Sequence, residues 1–95
     1  RSVKYIEPLN YQPVKTTNNM VYYIIGCSLT RESDAQKCVE KFKQLGFDEA
    51  EALPMNDNGN IRVAYETVIG REAALKRLEI IKKDFNETAW LLRKR

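Results

Sequence analysis

The chain contains no histidine. That removes the commonest general base and the commonest metal ligand. Only two cysteines are present, Cys27 and Cys38, and neither their number nor their spacing makes a disulfide framework. Cys38 falls in a helical apolar stripe and Cys27 ends a strand, so they are expected to be two independent, buried or half-buried thiols. No run approaches the roughly 20 apolar residues of a membrane span, and no signal peptide is visible. A first residue of Arg rather than Met leads to the expectation of a processed or excised piece, with any membrane anchor or address lying upstream. Glycine-rich phosphate loops and metal-spaced ligand clusters are missing too. Catalysis is therefore not expected. Cys27 has no histidine to activate it, and Glu49 and Glu51, sharing one strand face, read as solvated charges. Neither a cofactor nor a metal is expected.

What remains is ordinary for one small globular domain. The 95 residues are 43% hydrophobic and 31% charged, which excludes wholesale disorder, although a chain this short has a small core. The net charge of +3 is unevenly spread. Residues 1–20 carry +2 and the terminal Arg93, Lys94 and Arg95 carry +3. Residues 21–92 hold ten basic and twelve acidic side chains, leaving that body at −2. Such a body is not a nucleic-acid footprint.

Residues 1–20, with two prolines and a Thr-Thr-Asn-Asn cluster, read as a linker or N-terminal arm, and 21–95 as the domain. Val21 to Cys27 is rich in β-branched and aromatic residues and predicts a strand. A helix over 32–45 follows, capped by Thr30 or by Ser33 with Gln36 three residues on. Ala35, Cys38, Val39, Phe42 and Leu45 form its buried stripe, and Gly46 stands where a left-handed C′ residue is expected. Within "GFDEAEALPM" lies a short strand. Asn58-Gly59 is a hairpin signal, and "NIRVAYETV" is the third strand. A second helix runs from Arg71 to Phe85 on a stripe of Ala74, Leu78, Ile81 and Phe85, and "TAWLLR" closes as a fourth strand. Asn86 opens an Asn-Glu-Thr sequon, a tripeptide common by chance.

The two halves match each other. A shift of 39 positions sets Ile24 on Val63, Ser28 on Thr67, Leu29 on Val68, Ala35 on Ala74 and Val39 on Leu78. Each half is a strand, a hydroxyl corner, an apolar plug, then a helix. The order βαββαβ predicts an α+β fold of ferredoxin or RNP type, a four-stranded antiparallel sheet with two helices on one face. Strand alternation then sorts the sides. With Ile24, Gly26, Ile61, Val63, Ala89 and Leu91 towards the helices, the open face carries Tyr23, Ile25, Asn60, Arg62, Ala64, Trp90 and Leu92, near Ser28. Aromatic and apolar platforms around one guanidinium suit a sugar ring or a nucleobase. The bland reading, with Trp90 as core and Arg62 as a solvated strand charge, is equally open on periodicity alone.

"YYIIGCSLTRESDAQKCVEKFKQLGF", "IRVAYETVIGREAALKRLEIIKKDF" and "AWLLRK" resemble the SPOR domain, the sporulation-related repeat of bacterial cell-division and cell-wall proteins. The resemblance covers about Tyr22 to Arg93. It rests on the order and spacing of a strand ending in Gly-Ser-Phe, an Ala-led helix, a Tyr-Arg-Val strand, a Glu-Ala helix and an Ala-Trp strand. It implies a non-catalytic module that binds peptidoglycan, preferentially glycan strands stripped of stem peptides, at the division septum. The implied location is the periplasm or cell envelope. Other cell-division proteins are further candidate partners, nucleic acid is not expected, and a membrane is reached only through an upstream anchor. Family binding positions fall on Ile25, Ser28, Asn60, Arg62 and Trp90. This chain departs from the family at four places. Ile25 replaces a common Gln, Asn60 a frequent aromatic, Cys27 the usual Gly and Leu29 the usual Phe.

Two alternatives share the architecture. An RRM-like RNA-binding module would use the same open face, but needs a third strand with paired outward aromatics, which "GNIRVAYE" lacks. A ferredoxin-like domain could instead mediate protein interaction through its sheet, since fold alone does not decide function. Glycan stacking should persist in moderate salt, whereas RNA binding should fade steeply.

Overall fold

The computed structural model describes residues 20–94, so the arm assigned to 1–20 lies, but for Met20, outside the described residues. The elements are β1 (Val21–Leu29), α1 (Glu32–Gln44), β2 (Glu51–Ala52), β3 (Ile61–Ile69), α2 (Arg71–Asp84) and β4 (Trp90–Arg93). The strands form one antiparallel sheet in the order β2-β3-β1-β4. This is the α+β, βαββαβ arrangement expected from the sequence. The two nine-residue strands of the internal match are the two central ones. Each is followed by its helix.

Both helices cover the same face. Ala35, Val39 and Phe42 of α1 and Ile81 of α2 are buried with Ile24, Ile61, Val63, Tyr65 and Ala89 from the sheet side. Cys38, Leu78, Leu29 and Val68 pack at the margin of this core, so both expected corner plugs do close it. An aromatic file runs through its centre. Phe42 stacks on Tyr65 at 3.8 Å between ring centroids, Phe47 tilts against Tyr65 at 4.8 Å, and Phe85 meets the edge of Phe47 at 5.0 Å. The stripes are shorter than their periodicity suggests. Leu45 is 48% and Phe85 46% exposed, because both stand at C-caps beyond the last turn. The N-cap of α1 is Arg31 with no side-chain cap, not Thr30 or Ser33. Gly46, with φ +109°, does take the left-handed conformation after the helix.

Two bulges break strict alternation in the central strands. The register passes from Ile25↔Ala64 to Cys27↔Val63, leaving Gly26 unpaired, and from Ile24↔Glu66 to Ile25↔Ala64, leaving Tyr65 unpaired. A side chain at Gly26 has no room. A Cβ there would lie 2.5 Å from Phe42 Cζ and 2.6 Å from Tyr65 Cε2. The aromatic stack therefore crosses β1 over this glycine, which explains a small residue in the middle of an apolar strand. The Gly26 carbonyl accepts a hydrogen bond from Asn86 Nδ2 at 2.9 Å, while Asn86 Oδ1 accepts from Thr88 N and Thr88 Oγ1. Asn86 is thereby a structural tie between the end of α2 and the bulge.

The same bulge overturns the expectation of independent thiols. Without it, strict alternation would put Gly26 towards the helices and Cys27 on the open face. The extra residue turns Cys27 to the helix side, where it packs at the core margin with Cys38 of α1. The two are joined as a disulfide, and the described residues hold no free cysteine.

The β2 strand is only two residues long, shorter than "GFDEAEALPM" suggests. A turn over Phe47–Ala50 precedes it, with Ala50 N donating to Phe47 O. Pro54, which has no N–H, ends it, after one more ladder bond from Leu53 N to Arg62 O. The following hairpin is organised by Asn56, whose Oδ1 accepts from Asn58 N and Asn60 N at 3.0 and 2.9 Å. On the helix side, Glu66 and Arg77 form a two-bonded ion pair of 2.7 and 3.0 Å. Its hydrogen bonds hold the Arg77 guanidinium above its ordinary pKa.

Candidate functional site

No helix covers the other face of the sheet among the described residues. Its middle is a second, smaller apolar cluster of Ile25, Leu53 and Ala64, with Tyr23 and Leu92 packed against it. Cross-strand pairing orders this face in rows. Trp90 of β4 stands beside Ile25 of β1, and Ile25 beside Ala64 of β3. One row away Leu92 pairs with Tyr23, and Tyr23 with Thr67. In the other direction Ser28 pairs with Arg62.

Tyr23, Ile25, Ser28, Arg62 and Trp90 are thus brought to one face by alternation and by the bulges. Their surroundings differ. Trp90 is 42% exposed and presents an indole on an edge strand. Ser28 is exposed and Arg62 half-buried. Ile25 is fully buried, at 0% exposure. It is floor to the face and cannot itself touch a ligand there, a correction to its sequence-based placing among contact residues. Asn60 lies just before β3, half-buried in the hairpin, with its backbone N–H committed to Asn56.

Arg62 is the most distinctive of these. Its Nε is buried and has no hydrogen-bond partner among the described residues. A buried donor left unpaired carries a desolvation cost. The side chain lines a groove of 440 Å³ with Tyr23, Leu92, the Leu53–Asn56 segment, Arg93 and Lys94. Apolar walls from Tyr23, Leu53, Pro54, Met55 and Leu92 thus meet the cations Arg62 and Lys94, while Arg93 at the groove's edge has the helix-side parity of Leu91. No acidic residue lines the groove among the described residues.

A larger depression of 570 Å³ sits between the start of α1 and the same 52–55 segment, but it is lined by Glu32, Ser33 and Gln36 and holds neither a cation nor an aromatic ring. Another, of 410 Å³, lies on the helix side around Arg77 and Glu66, whose charges are already spent on each other. Chemistry rather than size therefore favours the sheet-face groove.

The Leu53–Asn56 wall and the cation Lys94 escaped the sequence reading. Lys94 shares strand parity with Trp90 and Leu92, so the alternation extended two residues would have found it. Nothing local signals that Leu53 folds over the open face, because β2 is too short to show a period. Comparison with family models, with curated proteins and with solved structures finds no match to this chain.

Proposed function

We propose that the helix-free face is a binding surface for peptidoglycan, taking glycan strands stripped of stem peptides. The observation that carries this reading is an exposed indole at Trp90 on the same face as the half-buried Arg62, whose Nε has no hydrogen-bond partner among the described residues. A sugar offers an apolar ring face to an indole and acetamido carbonyls and hydroxyls to a guanidinium fork. Tyr23 and Ser28 add an aromatic edge and a hydroxyl; Ile25 and Ala64 supply the flat floor beneath. The sequence resemblance to the SPOR family adds the ligand class. The reading is of a non-catalytic module of bacterial cell division or envelope maintenance. The Cys27–Cys38 disulfide supports an oxidising compartment, which the periplasm provides.

Co-sedimentation with purified sacculi, before and after amidase treatment, tests the reading. Binding is expected to rise after amidase treatment; equal absence of binding in both arms would refute it.

The RNA-binding alternative loses support from the same face. On the central strand β3 the outward positions are Arg62, Ala64 and Thr67, so no aromatic platform stands where that mode stacks its bases.

A further inference from the structure

Resting on that reading, we infer that the groove recognises a negative charge on the glycan, and that its ligand is a carboxylate-bearing saccharide rather than a neutral one. Arg62 reaches the groove from β3 and Lys94 from just beyond β4, while Tyr23 of β1 lies between them. The strands β3 and β4 flank β1 on opposite sides, about 10 Å apart at ordinary strand spacing. Two cations on one apolar-walled groove, with no acidic residue in its lining among the described residues, do not suit a neutral sugar alone. Like charges held together without a counter-charge raise the local potential and favour an anion. The guanidinium of Arg62 adds a planar fork of donors, its Nε without an acceptor among the described residues.

Chemistry names the anion. Hydrolysis of the amide that joins a stem peptide to its muramic acid residue leaves a free carboxylate on that sugar. A peptide-bearing strand has a neutral amide at the same atom. A groove that pairs with the carboxylate therefore distinguishes stripped from unstripped strands by charge as well as by bulk. A phosphate polymer is the weaker fit, because the outward positions of β3 offer no ring for its bases, and residues 21–92 carry more acidic than basic groups.

The test is equilibrium binding of the full 95-residue chain to soluble peptide-free glycan strands. The comparison ligand is the same strands after carbodiimide coupling with ammonia, which turns each carboxylate into a neutral amide. The parent should bind the amidated strands about tenfold more weakly. A Lys94→Gln variant, shown folded by circular dichroism, should bind both strands nearly alike. Equal parent affinity for the two strands overturns the charge inference and leaves glycan binding standing. A tenfold preference retained in Lys94→Gln overturns the assignment to this groove. Failure of the parent to bind either strand brings down the glycan reading and this inference together, as would a preference for single-stranded RNA over the untreated strands.

Discussion

The two faces of this sheet are built from alternating residues of the same four strands, yet they solve different problems. The helix face is sealed: Phe42, Phe47 and Tyr65 interlock across Gly26 with fitted geometry. Among the described residues the open face buries Ile25, Leu53 and Ala64, and sets around them an exposed indole and a half-buried guanidinium with one donor unpaired. Packing accounts for the first face completely. It does not account for the second, where apolar area stays in contact with water and a donor goes unused. A surface that retains such costs is the natural place to look for a ligand.

The sharpest way to break this contrast is to damage the sealed face. Phe42→Ala removes the centre of the aromatic file and should cost about 3–5 kcal/mol of stability in urea unfolding. Gly26→Ala adds one methyl where there is no space, and should cost about 3 kcal/mol by overpacking. A Gly26→Ala protein as stable as the parent would mean that the aromatic stack does not cross β1 at this point. Replacing both cysteines with serine opens a link spanning 11 residues of sequence, worth about 2–3 kcal/mol on the loop-entropy account. Mass spectrometry of the alkylated, unreduced protein checks the bond itself. Two free thiols would contradict the fold described for the bulge.

Mutations of the open face should sort differently. Ile25→Gln inserts an amide into a fully buried site, and should destabilise by about 1–3 kcal/mol. On sequence grounds alone the same change, towards the residue common in the resembling family, would be expected to hold or improve binding. The difference comes from burial, which periodicity does not report. Arg62→Ala sits at the end of this series. It removes a half-buried stem but also a buried donor that has no partner among the described residues, so the two effects offset and its thermal melting should shift least of all.

Much of this architecture could be read from the chain before any coordinates. Repeated order, the Asn58-Gly59 turn and the two Ala-led helices predicted βαββαβ, because each is a local signal with a short period. Alternation also placed Arg62 and Trp90 outward. What it could not supply were the bulges at Gly26 and Tyr65, since these arise from one aromatic side chain crossing another strand. The disulfide was missed for that reason: Cys27 changes sides only because Gly26 leaves the ladder. The groove wall at Leu53–Asn56 was missed because it depends on where a two-residue strand lets go of its neighbour. Short-range patterns fix elements and faces, whereas sites assembled across a sheet depend on register.

The central claim is that the open face binds stripped glycan strands through Trp90 and Arg62. The most direct test measures the affinity of parent, Trp90→Ala and Arg62→Ala proteins for amidase-treated sacculi, alongside their melting temperatures. Each substitution should weaken binding by about 1–3 kcal/mol, or roughly 5- to 150-fold, with little change in the melting of Arg62→Ala. Folded Arg62→Ala and Trp90→Ala proteins that bind sacculi as tightly as the parent would contradict it.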